Sequence, residues 1–186
     1  MKINAKSSLQ TVALAVAEAL ENAGIDAVLS GGACATIHTA GAYASEDVDF
    51  VLQSASSQEK LDDAMAGLGF RRRRDQYFHP RTQFFVEFPS GPLGIGRDLS
   101  VKPVRKRIGP SSSAIRILSA TDSCRDRLAA FYHWNDRQSL STAVLIALKN
   151  RVEMNRIRAW SAREGASERF SEFRRELARA RKRLRP

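Results

Sequence analysis

Apolar residues recur along this chain with two periods, one helical and one of the strand type. Leu9, Val12, Val16 and Leu20 share one helical face, while Gln10, Glu18 and Glu21 interrupt it. Ser7-Ser8-Leu9-Gln10 reads as a capping box opening this helix, which runs to about Asn22 with Gly24 placed to end it. A strand from Asp26 to Ser30 leads into Gly31-Gly32, then a short helix from Ala33 to about Thr39, broken by Gly41. Phe50, Val51 and Leu52 continue a second strand that starts at Asp47. Ser56-Ser57-Gln58-Glu59 is another capping box, before a helix carrying Leu61, Met65 and Leu68. Strand patterns follow at Phe70–Arg73, Tyr77–His79 and Thr82–Phe88. In the last, Phe84, Val86 and Phe88 share one face and Phe85 and Glu87 the other.

Pro89–Gly96 reads as a Gly/Pro loop, Pro103–Ser113 as basic and irregular, and Ala114–Leu118 as a final strand. From Asp122 onward the pattern is helical: Asp122–Trp134, Ser139–Asn150, Val152–Glu164 closed by Gly165, and a last helix from Ser167 into the Arg-rich tail. The expected fold class is α/β (α+β), a small mixed sheet flanked by helices. The core spans 1–120 and a C-terminal helical region with a basic tail spans 121–186. The chain has no internal repeats.

A length of 186 residues with 43% hydrophobic content suits one globular core. The formal net charge of +10 favours anionic partners such as nucleic acid, nucleotides or an acidic protein, and works against a polycationic substrate. Cys34 and Cys124 are few and far apart, which suits two buried free thiols. His38, His79 and His133 lack metal-ligand spacing. The run from Thr11 after Met1-Lys2 and Lys6 superficially resembles a signal peptide, but Glu18 and Glu21 make it an amphipathic helix. No apolar run is long enough to span a bilayer, so no membrane partner and a cytoplasmic location are expected.

The chemistry concentrates at Asp47-Val48-Asp49. Residues i and i+2 of a strand point to one face, so the two carboxylates project together and repel unless a cation lies between them. Hard divalent cations such as Mg²⁺ take oxygen ligands of this kind. Upstream, Ser30-Gly31-Gly32 forms a strand-to-helix turn whose glycines let backbone N–H groups approach a phosphate. Taken singly, an Asp-x-Asp pair also fits a solvated strand end, and a Gly-Gly pair also fits a plain turn.

The order strand, Gly31-Gly32, helix, Asp47-Val48-Asp49-Phe50, then a later strand bearing Glu87, resembles the polymerase-beta-like nucleotidyltransferase superfamily over roughly residues 25–90. The resemblance implies the small mixed sheet of that superfamily. It also implies a metal-dependent transfer of a nucleoside monophosphate from an NTP to a hydroxyl. Asp47, Asp49 and Glu87 would be catalytic and metal-holding (Mg²⁺ or Mn²⁺), with Ser30, Gly31 and Gly32 at the nucleotide phosphates. Asp126-Arg127-Leu128 with Asp136-Arg137 is similar to the C-terminal helix motif of the AbiEii-like toxin nucleotidyltransferases. That similarity implies Arg127 and Asp136 near the nucleotide and a cognate antitoxin as a candidate partner. Arg127 stands where that family often has lysine, and the two are not interchangeable. The same residues also fit a set of helix-packing ion pairs.

Arg72, Arg74, Arg81, Arg105, Lys106 and Arg107 are candidate nucleic-acid contacts; Arg71–Arg74 also fits a charged strand edge that blocks aggregation. The tail from Arg151 carries twelve Lys/Arg against five Glu, much of it interleaved at helical spacing. Its end, from Arg179, fits either an RNA- or partner-binding extension or a simple terminus. RNA, tRNA or a protein hydroxyl is the expected acceptor. A small-molecule, antibiotic-type acceptor and a non-catalytic nucleic-acid-binding module are the alternatives.

Overall fold

The computed structural model describes residues 3–108 and 114–184. Helix α1 (Leu9–Asn22) buries Leu9, Val12, Ala13, Val16 and Leu20, the apolar face of its sequence. Its cap is Ser8, which accepts from the Thr11 N–H at 3.2 Å, one residue later than the capping-box spacing predicts. The same shift recurs at α3 (Gln58–Gly67), capped by Ser57 through the Lys60 N–H. In both Ser-Ser pairs the second hydroxyl is the one beside the free N–H groups of the first turn.

Between these helices lie β1 (Ala27–Leu29), α2 (Gly31–His38) and β2 (Asp47–Leu52). Helix α2 starts on the glycine pair itself, two residues before the expected Ala33, because Gly31 takes a left-handed φ of +59° that only glycine adopts cheaply. Four short strands follow: β3 (Arg71–Arg73), β4 (Gln76–Phe78), β5 (Phe85–Glu87) and β7 (Ala114–Ile117), with β6 (Val104–Arg107) between the last two. Strand β6 corrects the expectation of an irregular segment. Its ladder to β7 pairs Val104 with Ile117 and Arg107 with Ala114, so partner backbone rather than apolar alternation makes it a strand. The rest of that segment, 109–113, lies outside the described residues.

The seven strands form one mixed sheet in the order β3-β4-β5-β2-β1-β7-β6. Strand β2 runs antiparallel to β1 and parallel to β5. Both edges carry arginines: β3 is exposed throughout and β6 nearly so, which keeps open strand edges from pairing with other chains. Val28, Val48, Phe50, Val86 and Ile117 are buried inside the sheet.

Helices α4 (Ala120–Trp134), α5 (Arg137–Lys149), α6 (Met154–Arg163) and α7 (Ser167–Arg183) complete the chain. Helix α4 packs on α2 and α5, and α7 closes over α5 with Phe170, Phe173 and Leu177. The basic stretch from Arg179 continues α7 as helix to Arg183; residues 185–186, like 1–2, lie outside the described residues. Cys34 and Cys124 are free and buried. Among the described residues no helix is long and apolar enough to cross a membrane.

Candidate active site

Strand alternation and register bring the three carboxylates together. Asp47 and Asp49 lie on one face of β2, with Val48 fully buried on the other. The parallel ladder pairs Asp49 with Glu87 and Asp47 with Phe85. Glu87 therefore stands beside Asp49 on the same face, one inter-strand spacing (about 4.8 Å) away.

The glycine pair packs against these carboxylates from above. A Cβ on Gly31 would lie 1.9 Å from Asp49 Oδ2, and one on Gly32 would lie 2.2 Å from Ser45 Oγ and 3.3 Å from Asp47 Oδ1. Gly31 is thus required both by backbone conformation and by close approach, and Gly32 by close approach alone. They leave the start of α2 facing the carboxylates, where the first N–H groups of a helix have no intrahelical partner. Ser30 is buried, its N–H donating to the Asp49 carbonyl at 2.9 Å.

The carboxylates are held by neutral donors rather than by bases. The Ser45 hydroxyl donates to Asp47 Oδ1 and the Gln76 side-chain amide to Glu87 Oε1. Burial, then the charges of Asp47 and Glu87, push the Asp49 carboxyl up to about 7. As the side chains stand, no three metal-ligating groups among the described residues converge on one point. Asp47 is turned onto Ser45 and Glu87 onto Gln76, the direction that like-charge repulsion favours. The all-oxygen donor set, its excess negative charge and the glycine cradle fit a hard divalent cation with its nucleotide phosphates.

A cavity of about 310 Å³ opens beside these groups, lined by Ser30, Gly31, Asp49, Leu118, the segment Pro89–Gly94 and Asp126. Asp126 was not singled out by the sequence. Its only signal there is membership of the Asp126-Arg127 helix motif, and its place at the cavity depends on how α4 docks on α2. Arg127 donates from Nε and Nη2 to Asp126 Oδ2 at 3.0 and 2.7 Å. Ser45 and Gln76 were likewise invisible in the sequence, since each matters only through the carboxylate it holds. Asp136 is the N-cap of α5, with Oδ1 accepting from the Gln138 and Ser139 N–H groups and Oδ2 from the Ser139 hydroxyl at 2.6 Å. A larger cavity, about 400 Å³, lies by α1 against Leu20, Ile25, Phe50 and Ile115. Its acids Glu21 and Asp26 are each tied to an arginine, Arg105 and Arg116, so it holds no free acid–base group.

The six candidate nucleic-acid contacts do not form one surface. Arg72 sits on β3, Arg74 in the turn after it, and Arg105, Lys106 and Arg107 on β6 at the opposite edge of the sheet. Six inter-strand spacings of about 4.8 Å separate these edges by roughly 29 Å. Arg72 pairs with Asp62 at 3.3 Å and Arg105 with Glu21 at 2.5 Å. Arg81 lies in the β4–β5 loop beside a shallow groove with Lys6, Thr82 and Gln83.

No protein-family model matches the chain, and no curated protein sequence matches it. Two solved structures share its fold. One is an antigenic nucleotidyltransferase-like protein from Paracoccidioides brasiliensis, at 19% identity, TM-score 0.54 and 77% coverage of both chains. The other is the antibiotic-resistance factor ANT(2'')-Ia, at 13% identity and TM-score 0.54, covering 88% of this chain and 96% of that one. The fold is therefore that of the nucleotidyltransferase-like proteins: a mixed sheet with helices on its faces and a helical C-terminal part.

Proposed function

We propose that the protein is a nucleotidyltransferase, moving a nucleoside monophosphate from an NTP to a hydroxyl acceptor. The observation that carries this reading is the alignment of Asp47, Asp49 and Glu87 on neighbouring parallel strands against a helix start with no room for any side chain. In this reading residues 1–120 carry the reaction and residues 121–186 support it.

Asp47 and Asp49 would hold the divalent cations, Mg²⁺ or Mn²⁺, with Glu87 completing the set on the acceptor side. Such ions neutralise charge on the attacking and leaving oxygens. The N–H groups of Gly31 and Gly32 bind the triphosphate and fix its path. Gln76 occupies one oxygen of Glu87 and leaves the other for the acceptor hydroxyl. The hydroxyl oxygen attacks the α-phosphorus, the bond to the β-phosphate oxygen breaks, pyrophosphate leaves, and the hydroxyl proton passes to a site carboxylate. Most of the acceleration in such a site comes from placement and fixed charge. Arg127, anchored on Asp126, is an arginine whose charge acts on Asp49, and the AbiEii-like toxin enzymes remain the proposed near relatives. Asp136 would then support the nucleotide site through α5 rather than by contact.

The acceptor is RNA or a protein hydroxyl in the first reading, with an antitoxin as partner. A small hydroxylated molecule is the second. The spread of the basic residues over both sheet edges and the modest cavity favour this second acceptor. ANT(2'')-Ia, an antibiotic-resistance factor, shares the fold. The test is incubation of the purified protein with Mg²⁺ and each α-labelled NTP, against pooled RNA, a protein extract and an aminoglycoside mixture. Label should appear in one pool and vanish with Asp49→Asn. A wild-type protein that labels none and binds no NTP would be a nucleic-acid-binding member of the fold instead.

A further inference from the structure

The long connection from β5 to β6 leaves the sheet directly after Glu87, and its first part, Pro89–Gly94, is one wall of the cavity. This wall is rich in Gly and Pro, and its connection contains no ladder beyond one bridge, Ile95 to Asp98. Such a segment does not hold a fixed shape by itself. Leu93 and Ile95 anchor it in the core, and the turn that follows the wall is held by side chains of other elements.

Three tethers meet that turn, all from the C-terminal helices. Arg125 of α4 is fully buried, donates from Nη1 to Asp122 at 2.7 Å, and pairs through Nη2 with Asp98. Asp98 also accepts from the Ser100 N–H at 3.0 Å and the Ser100 hydroxyl at 2.6 Å. Trp160 of α6 lies under the Arg125 guanidinium at 5.0 Å and donates from Nε1 to the Ile95 carbonyl at 3.2 Å. Glu164, at the end of α6, accepts from the Arg97 N–H at 2.9 Å. Gly96 adopts φ +59°, and a Cβ there would lie 2.7 Å from Glu164 Cδ, so the turn is pressed onto α6. Arg125 also adjoins Asp126 in sequence. One helix therefore carries both a cavity residue and the clamp of the opposing wall.

We infer that α4 and α6 set the wall of the active site that faces the nucleotide-phosphate turn, through Arg125, Trp160 and Glu164, which act as positioning residues. The inference rests on the nucleotidyl-transfer reading. The nucleotide is the substrate concerned, because the cavity this wall closes is also lined by Ser30, Gly31 and Asp49, the groups assigned to the nucleotide phosphates and their cation.

The test compares Glu164→Ala, Glu164→Gln and Asp98→Asn with wild type in two measurements. Amide exchange at Ile95 and Asp98, whose N–H groups are bonded to each other's carbonyls across the turn, should quicken at least tenfold in Glu164→Ala and Asp98→Asn, with β2 amides unchanged. Glu164→Gln keeps an oxygen for the Arg97 N–H and should restore wild-type exchange. In turnover, with whichever of pooled RNA and aminoglycoside accepts label, NTP KM should rise at least tenfold in Glu164→Ala, while acceptor KM and kcat stay within threefold. Exchange that rises equally in sheet and loop, or kcat and both KM values that worsen together, would overturn the inference and leave these residues as structural. The exchange measurement needs no turnover. A wild type that transfers nothing therefore counts against the activity, and unchanged exchange in the loop counts against the tether.

Discussion

Two groups of carboxylates in this protein are balanced in opposite ways. Around α4, Asp98 and Asp122 each meet an arginine: both bind Arg125, and Asp122 also binds Arg156 at 3.0 Å. The Ser100 and Arg125 hydrogen bonds hold the Asp98 carboxyl well below the usual carboxylate range. Around β2 and β5, Asp47, Asp49 and Glu87 meet only Ser45, Gln76 and one another, and Arg127 is committed to Asp126. There the Asp49 carboxyl rises to about 7 instead. A balanced buried set holds structure together. An unbalanced one costs stability, and it persists where a cation from outside completes it.

The largest effect that would separate the two groups is on activity. Asp49→Asn is expected to lower transfer at least ~10³-fold, about 4 kcal/mol of transition-state stabilisation, while the protein stays folded by circular dichroism. Arg125→Met should act the other way round, leaving Asp98 without its arginine and Asp122 with Arg156 alone, at a cost of roughly 3–5 kcal/mol in denaturant unfolding. Loss of stability in Asp49→Asn, or none in Arg125→Met, would erase the contrast.

The pH dependence follows from the same two shifts. Asp49 has a folded value of about 7, above its unfolded value, so the folded state binds the extra proton between about 4 and 7. Metal-free stability should therefore fall as pH rises through that window, by up to roughly 4 kcal/mol at about 1.4 kcal/mol per unit. Asp98 is depressed, so its contribution is present above about 4 and is lost as pH falls further. Thermal melts of the metal-free protein should peak near pH 5, and Asp49→Asn should flatten the alkaline side. A wild-type melt that does not drop between pH 5 and 8 contradicts the raised value.

Smaller effects come from the cradle and the edge. Gly31→Ala meets both the left-handed backbone and the Asp49 carboxylate. It should cost about 1–2 kcal/mol of stability and a larger share of activity, measured side by side. Arg72→Ala removes an ion pair whose side chains are 44% and 38% exposed. It should change stability by under about 0.5 kcal/mol and leave transfer to a small acceptor intact.

The carboxylates of β2 and β5 were legible because a strand's period of two fixes which side chains share a face, and Glu87 was the one acid in an apolar run. The helix after Gly31 and the C-terminal helices were legible from glycine punctuation and apolar spacing. Strand β6 was not, since Val104–Arg107 carries no apolar alternation and is a strand only through β7. Asp126 and the Asp98–Arg125 clamp were hidden for a related reason. Charged residues in a helix read alike whether they face solvent, a cavity or a loop, and only docking of α4 on α2 and on the β5–β6 connection decides. The reading of the α4 acids and arginines as ion pairs fits Asp122 with Arg125 and Asp126 with Arg127, and Asp126 also lines the cavity.

The central claim is that the unbalanced set awaits a divalent cation with its nucleotide. Titration of Mn²⁺ at pH 7.5 with a non-hydrolysable NTP analogue, followed by electron paramagnetic resonance, tests it directly. Saturable binding in wild type that is lost in Asp49→Asn is the predicted result, and equal binding in both proteins would contradict it.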